Sequence, residues 1–251
     1  MRDLQLDRQL DWDGCANIRD LGGHPTEDGG TTAFGAVVRA DSVRRLSEPG
    51  WAQLAEYGIA TIVDLRFHDE LEADPPFEVP VDVVHVPVLP DPASSHWEEI
   101  QAISEAAPDA TAGTTAVYLE FLERFSHGFA LAVSAVAGAC DGGVLVHCMA
   151  GKDRTGLVSA LLLRLAGVPV ADVAADYAVS ERNLAPFSEP WIAEAADERE
   201  RERRRRMAAT PAAAMEGVLA QLDRRGGAEG YLRDAGVPEG DLEAVRARLR
   251  G

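Results

Sequence analysis

The stretch GGVLVHCMAGKDRTGLVSALLLRLAG, Gly142 to Gly167, decides the fold. Its first part, GGVLVH (142–147), is a short apolar β-branched run of the kind that forms a strand covered on both faces. Its last part, TGLVSALLLRLAG, is apolar around most of a helical circumference and is ended by Gly167 and Pro169, which predicts a helix deep in the core. Strand, tight loop and buried helix in that order form half of a parallel βα unit. The chain upstream repeats the theme. IATIVDL (59–65) and VDVVHVPV (81–88) suit further covered strands, with a short charged helix near His68 to Ala73 between them. AFGAVVRA, ending at Ala40, reads as a strand or hairpin after the extended lead-in NIRDLGG (Asn17 to Gly23). In LSEPGWAQLAEYG, Ser47 is the expected helix N-cap and Gly58 the stop. TTAVYLEFLERFSHGFALAVSAVAGAC runs helically, with Val117, Phe121, Phe125, Phe129 and Val133 at intervals of four, and everything beyond Val170 reads as helix. Leu89 to about Thr114 dissolves into prolines, acids and small residues, which is long for a connection and suggests an active-site loop or insertion. The expectation is α/β: a mainly parallel central sheet flanked by helices, in one domain spanning residues 1–251, with extra helices at the C-terminal end.

Between strand and helix lies HCMAGKDRTG, His147 to Gly156. A loop that enters a helix N-terminus aims free backbone N–H groups and the positive end of the helix dipole at one spot, which makes an anion site before any side chain contributes. A Walker loop needs G-x-x-x-x-G-K-[ST]. Here Val146 stands where the first glycine belongs and Asp153 follows Lys152, so that reading fails at both ends. What distinguishes the loop is Cys148 at its start and Arg154 six residues on. Helix N-termini and backbone N–H groups favour the nucleophilic thiolate, and a guanidinium matches two phosphate oxygens at once. The other cysteines act as internal controls, since Cys15 has Leu21 and Cys140 has Val146 at the corresponding position.

Cys148-x5-Arg154-Thr155 resembles the signature of the cysteine-dependent protein tyrosine phosphatase superfamily, and HCMAGKDRTG is similar to its bacterial branch of PtpB-type phosphatases. NIRDLGG, VVRADS, IVDLR (62–66), VADYAVSERN and GYLRDAGV (230–237) share in the resemblance, so it covers nearly the whole chain except Pro92 to Thr114. It implies a phosphate monoester hydrolase acting on phosphotyrosine, with phosphoserine and phosphothreonine as further substrates, through a cysteinyl-phosphate. Cys148 would be the nucleophile, Met149, Ala150, Gly151, Lys152, Asp153 and Arg154 the phosphate cradle, and His147 and Thr155 its supports. Thr155 either caps the helix or hydrogen-bonds the sulfur as it leaves. The same site could instead take phosphoinositides, because Lys152, the chain's single lysine, can meet a second negative charge. A silent phosphate-binding module and a persulfide sulfurtransferase are the other readings.

The leaving oxygen needs a proton, and a carboxyl group on a neighbouring loop is the usual donor. The superfamily's Trp-Pro-Asp tripeptide is absent. Leu-Pro-Asp (89–91) stands in its place and points to Asp91 as the general acid, with Asp153 inside the cradle as the rival. Asp64 and Arg66 suit a structural pair at a strand end.

Forty-two acidic against 24 basic residues give a net charge of −18, which argues against a nucleic-acid partner, since affinity for a phosphate backbone rests on Lys and Arg. No signal-like h-region and no apolar run of membrane-spanning length is present, which predicts a cytoplasmic protein without integral membrane association. The histidines show no metal-ligand spacing, so neither a metal nor a cofactor is expected. The run DERERERRRRM (197–207) places Asp197/Arg201, Glu200/Arg204 and Glu202/Arg206 at i,i+4, as on a solvated helix. Alternatively residues 180–207 form a lid over the cleft, with Arg203 to Arg206 attracting phosphorylated headgroups or acidic peptides. Oligomeric state is not legible.

Overall fold

The computed structural model describes residues 8–73, 81–92, 94 and 96–251. Its elements run β1 (Arg19–Asp20), β2 (Val37–Ala40), α1 (Glu48–Glu56), β3 (Ile59–Asp64), α2 (His68–Ala73), β4 (Asp82–His85), α3 (His96–Ala106), α4 (Ala110–Arg124), α5 (Ser126–Ala137), β5 (Gly143–His147), α6 (Asp153–Leu165), α7 (Val170–Ala193), α8 (Glu198–Ala208), α9 (Ala212–Asp223), α10 (Gly227–Asp234) and α11 (Glu239–Arg250). The strands lie in the order β1-β2-β5-β3-β4. All neighbours are parallel except β1 and β2. The fold is therefore α/β with a mostly parallel sheet.

Strand β5 is the axis of the sheet, with β2 and β3 on either side. Alternation along it feeds two cores: Val144 and Val146 join a large cluster with α4 to α7 and α9 to α11, while Leu145 faces a smaller one with Trp12, Ile18 and Leu54. Both faces being covered, the strand can be apolar throughout, as its sequence is. Helix α6 is buried almost around its circumference, with Leu161, Leu162 and Leu163 at 1% exposure or less. Each such side chain contributes roughly 1.5–3 kcal/mol of hydrophobic burial. The loop between β5 and α6 thus hangs from two deeply buried elements.

Local punctuation follows the sequence where the chemistry is explicit. Ser47 accepts a hydrogen bond from the Gly50 N–H and caps α1, and Gly58 takes φ +86 at its end. Three readings need correction. The run 81–88 is not a covered strand: only Asp82–His85 pair, at the sheet edge, where Val83 is 47% exposed, and Val86 and Val88 are buried beyond the strand. Part of the stretch 89–114 is helical, α3 and the start of α4. The long helical run after Thr114 breaks at Phe125, whose φ of −120 and ψ of 27 separate α4 from α5. No described helix is long and apolar enough to cross a membrane.

Candidate active site

Cys148 follows β5 directly and is 2% exposed at the floor of the loop, with α6 beginning at Asp153. Gly151 has φ +65, and a Cβ there would lie 2.4 Å from the Ala40 carbonyl oxygen, so the turn admits only glycine. The other two cysteines are unsuited to nucleophilic work. Burial and the Asp41 carboxylate push the Cys15 thiol up, and a hydrogen bond to Asp82 does the same for Cys140, which is exposed.

Arg154 is nearly buried and meets Glu70 of α2 end-on, Nη1 donating to Oε2 at 2.5 Å and Nη2 to Oε1 at 3.0 Å. The Phe67 ring lies 4.1 Å beneath the guanidinium carbon. Burial opposes the charge of Arg154, but the Cys148 sulfur and the Glu70 and Asp153 carboxylates outweigh it, so the guanidinium is held above its usual range. Lys152 Nζ donates to the Met207 carbonyl at the end of α8 at 2.5 Å and lies 3.4 Å from Asp153 Oδ1. Asp153 Oδ1 also accepts from Tyr118 Oη at 2.6 Å. Tyr118 and Tyr177 hydroxyls are 2.9 Å apart. Burial, then the negative charge of Asp153, raises both phenols, so they stay protonated. With the Tyr118 proton directed at Asp153, the Tyr177 hydroxyl donates to Tyr118.

Lys152, Asp153 and Arg154 line one cavity of about 290 Å³, walled by Phe67, Trp97 and Phe121 among others. The Phe67 and Trp97 rings, and the Trp97 and Phe121 rings, meet edge to face at 5.7 Å. Trp97 comes from α3, so the segment that matched no motif in the sequence builds one wall of the cleft.

Asp91 stands elsewhere. Its Oδ1 accepts from the backbone N–H of His68 at 2.9 Å, at the first residue of α2, and its Oδ2 is 3.6 Å from His68 Nδ1. It lines a neighbouring groove with His68, Pro90 and Arg124, not the cavity that holds Arg154. Trp97 Nε1 donates to the Pro90 and Asp91 carbonyls, both at 3.1 Å, and so pins this loop to the cavity wall.

His147 is buried; its Nδ1–H donates to the Cys148 carbonyl at 3.2 Å and its Nε2 is 3.6 Å from Asp64. Burial pushes the imidazole down, against the pull of Asp64. Burial likewise opposes the Asp64 charge, yet His147 and Arg66 hold that carboxyl below its usual range. Arg66 and Asp64 pair at 2.8 Å, as the sequence suggested. Thr155 is fully buried, and its hydroxyl has no hydrogen-bond partner among the described residues. Within the region expected to form a lid, the second half of α7 buries none of its residues fully, and α8 carries Glu200/Arg204 and Glu202/Arg206 ion pairs. Asp197 does not pair with Arg201; it caps α8 by accepting from the Glu200 N–H, and Arg201 pairs with Glu198.

Sequence reasoning missed Glu70, Tyr118, Arg39 and Asp176. Glu70 sits in an acidic surface-like helix and Tyr118 on an apolar helix stripe, so neither announces itself. Arg39 gave a usable signal, because an arginine inside an apolar strand run must find a buried acceptor.

A mostly parallel sheet that delivers a buried cysteine into a loop followed by an arginine at a helix N-terminus is an arrangement suited to holding a phosphate. Comparison with known proteins sharpens this. The profile of the tyrosine phosphatase family matches residues 10–251, and the chain belongs to that family. It is 31% identical over 224 residues to a tyrosine-protein phosphatase of Nostoc commune, covering 85% of this chain and 74% of that one. It is 30% identical over 278 residues to the triple specificity protein phosphatase PtpB of Mycobacterium tuberculosis, covering 95% of this chain and 98% of that one. The chain is a protein-tyrosine phosphatase, and its substrates are phosphorylated.

Proposed function

We propose that this single-domain enzyme hydrolyses phosphotyrosine, with phosphoserine and phosphothreonine as poorer substrates, through a cysteinyl-phosphate on Cys148. The observation that carries the reading is the cavity shared by Lys152, Asp153 and Arg154 and walled by aromatic rings. It sets two cations suited to a phosphate beside aromatic rings against which an aromatic ester can pack. The sulfur of Cys148 attacks phosphorus, the P–O bond to the leaving group breaks, and the leaving oxygen takes a proton from a carboxyl group. Water then gives its proton to that carboxylate and attacks phosphorus, releasing the thiolate. The buried hydroxyl of Thr155 donates to sulfur as it leaves, which provides the partner it otherwise lacks. Glu70 takes only one edge of the Arg154 guanidinium, leaving N–H donors for the equatorial oxygens.

Two carboxyl groups compete to be the acid. Asp153 lines the cavity with Arg154, whereas Asp91 is engaged at the start of α2. We therefore place the proton on Asp153. Its Oδ1 accepts from Tyr118 Oη at 2.6 Å and lies 3.4 Å from the Lys152 amine, which fixes the carboxyl group at the cavity wall. Residues 180–207, ending at the Met207 carbonyl that holds Lys152, act as the lid over this cavity.

The relative named a triple specificity phosphatase supports a broad substrate range, and Lys152 supports phosphoinositides as the second reading, since it lines the cavity beside Arg154. A panel of phosphotyrosine, phosphoserine and phosphothreonine peptides and phosphoinositide vesicles tests both. Hydrolysis of phosphotyrosine peptides that is lost in Cys148→Ser supports the first reading. Turnover confined to the vesicles would replace it with the second, and no turnover of any substrate would restore the silent binding module.

A further inference from the structure

Three successive carbonyl groups of the phosphate loop are held from outside by donors of the N-terminal segment. Met149 O accepts from the Ser42 N–H at 3.0 Å, Ala150 O from Asn17 Nδ2 at 3.0 Å, and Gly151 O from Arg39 Nη2 at 2.8 Å. In a trans peptide the C=O of one residue and the N–H of the next point in opposite directions. Drawing these carbonyls outward therefore turns the N–H groups of Ala150, Gly151 and Lys152 toward the inside of the loop, where a phosphoryl group sits.

The donors are themselves locked. Arg19 Nη1 donates to Asn17 Oδ1 at 2.8 Å, which leaves the Asn17 amide nitrogen facing Ala150. Asp176 of α7 accepts from Arg19 Nε at 2.9 Å and from Arg39 Nη1 at 2.7 Å. Arg19 also donates to the Asp176 carbonyl at 2.7 Å and to Ser180 Oγ at 3.2 Å. Asn17, Arg19, Arg39, Asp176 and Ser180 are each at most 2% exposed. Two guanidiniums share the Asp176 carboxylate, and the buried Asp41 carboxylate accepts from the Asn17 N–H at 3.0 Å, which fixes the backbone of Asn17 as well.

Resting on the phosphatase reading of Cys148, we propose that Asn17 and Arg39 are positioning residues that preset the phosphate loop for its oxyanion, with Arg19 and Asp176 holding them in register. A network that served only the fold would change how much protein is native and leave each native molecule's chemistry as it was. One that sets the loop changes the chemistry itself. Asn17→Asp keeps size and the acceptor for Arg19 but loses the donor to Ala150. Arg39→Lys keeps the charge and loses the fork that joins Asp176 to Gly151.

The experiment compares these two variants with the unaltered enzyme, using p-nitrophenyl phosphate turnover, orthovanadate affinity and the pH dependence of Cys148 alkylation by iodoacetamide. Both variants are expected to lose about 10²-fold in kcat, the scale of a slightly misplaced catalytic geometry, with KM changed far less. Vanadate affinity should fall in parallel, and Cys148 alkylation should move to higher pH as the inward N–H groups lose alignment. Reversible unfolding raises the apparent vanadate dissociation constant only by the reciprocal of the folded fraction, so an affinity loss far larger than the loss of folded protein, read by circular dichroism with and without vanadate, belongs to the loop itself. Unaltered vanadate affinity and an unaltered alkylation profile in Asn17→Asp would overturn the proposal. If the unaltered enzyme itself fails to turn over phosphate esters, the phosphatase reading falls instead.

Discussion

Glu70 and Arg154 meet fork to fork, with Nη1 on Oε2 at 2.5 Å and Nη2 on Oε1 at 3.0 Å, and both side chains are largely buried. Glu70 Oε2 also accepts from the Phe67 N–H at 2.7 Å, so the carboxylate is fixed by its own helix start. With Phe67 stacked below, the guanidinium has one orientation. Glu70→Gln removes the charge-assisted fork, and Arg154 swings free. Steady-state kinetics on p-nitrophenyl phosphate should show kcat lowered by about 10²-fold with little change in KM. A variant as fast as the parent, or faster, would mean that Glu70 merely occupies the place of phosphate.

The choice between Asp153 and Asp91 as general acid follows from how much each leaving group needs a proton. Nitrophenolate leaves readily, tyrosine phenolate with a pKa of about 10 less so, and a serine alkoxide hardly at all. Asp153→Asn should lose least on p-nitrophenyl phosphate, more on phosphotyrosine and most on phosphoserine. Asp91→Asn should affect all three alike and modestly, through loosening of the α2 start. If the graded pattern belongs to Asp91→Asn, the acid is the Leu-Pro-Asp aspartate and its loop must swing into the cavity.

Lys152 carries the substrate question. Its amine is held by Met207 and lies beside Asp153, so a second phosphate has to compete with both. Lys152→Ala should slow hydrolysis of multiply phosphorylated phosphoinositides more than that of phosphotyrosine peptides, measured as kcat/KM on each. Equal losses would remove the lysine from substrate discrimination.

Asp176 makes stability depend on pH. Burial opposes its ionisation, but Arg19 and Arg39 prevail, and the folded carboxyl titrates well below the usual range. A depressed carboxyl stabilises the fold above its unfolded pKa of about 3.9, and that contribution disappears as pH falls from there toward the folded value. Asp176→Asn leaves two buried guanidiniums without their carboxylate and should cost about 3–5 kcal/mol near neutrality. Urea unfolding followed at several pH values should show this deficit shrinking below about pH 4. A deficit that stays constant into acid would separate Asp176 from the acid sensitivity of the fold.

Much of this architecture was legible because its signals are local. Periodicity from Val144 to Leu165 sufficed for β5 and α6, and the spacing of Cys148 and Arg154 for the loop between them. The bounds of α2 and the capping of α1 by Ser47 follow equally from nearby residues. Helix α3 was not legible, since HWEEIQAISEA has only Ile100 fully buried and follows a proline-rich turn, so no apolar stripe announced it. The edge position of β4 was hidden because VDVV reads the same in a central strand, and only pairing tells them apart. Long-range partners were the other loss. Glu70, 84 residues from Arg154, and Asp176, 137 from Arg39, look like ordinary surface acids until the fold brings them to their arginines.

Turnover by this route requires a covalent phosphoryl group on Cys148. Mixing the enzyme with a phosphotyrosine peptide labelled in its phosphate and quenching in alkaline detergent, in which a thiophosphate survives, within the first turnover tests it directly. Label should appear bound to the chain, be released as free phosphate on chase, map to the peptide containing Cys148 and be absent from Cys148→Ser. Steady turnover with no label ever bound to the chain, or label that persists in Cys148→Ser, would contradict it.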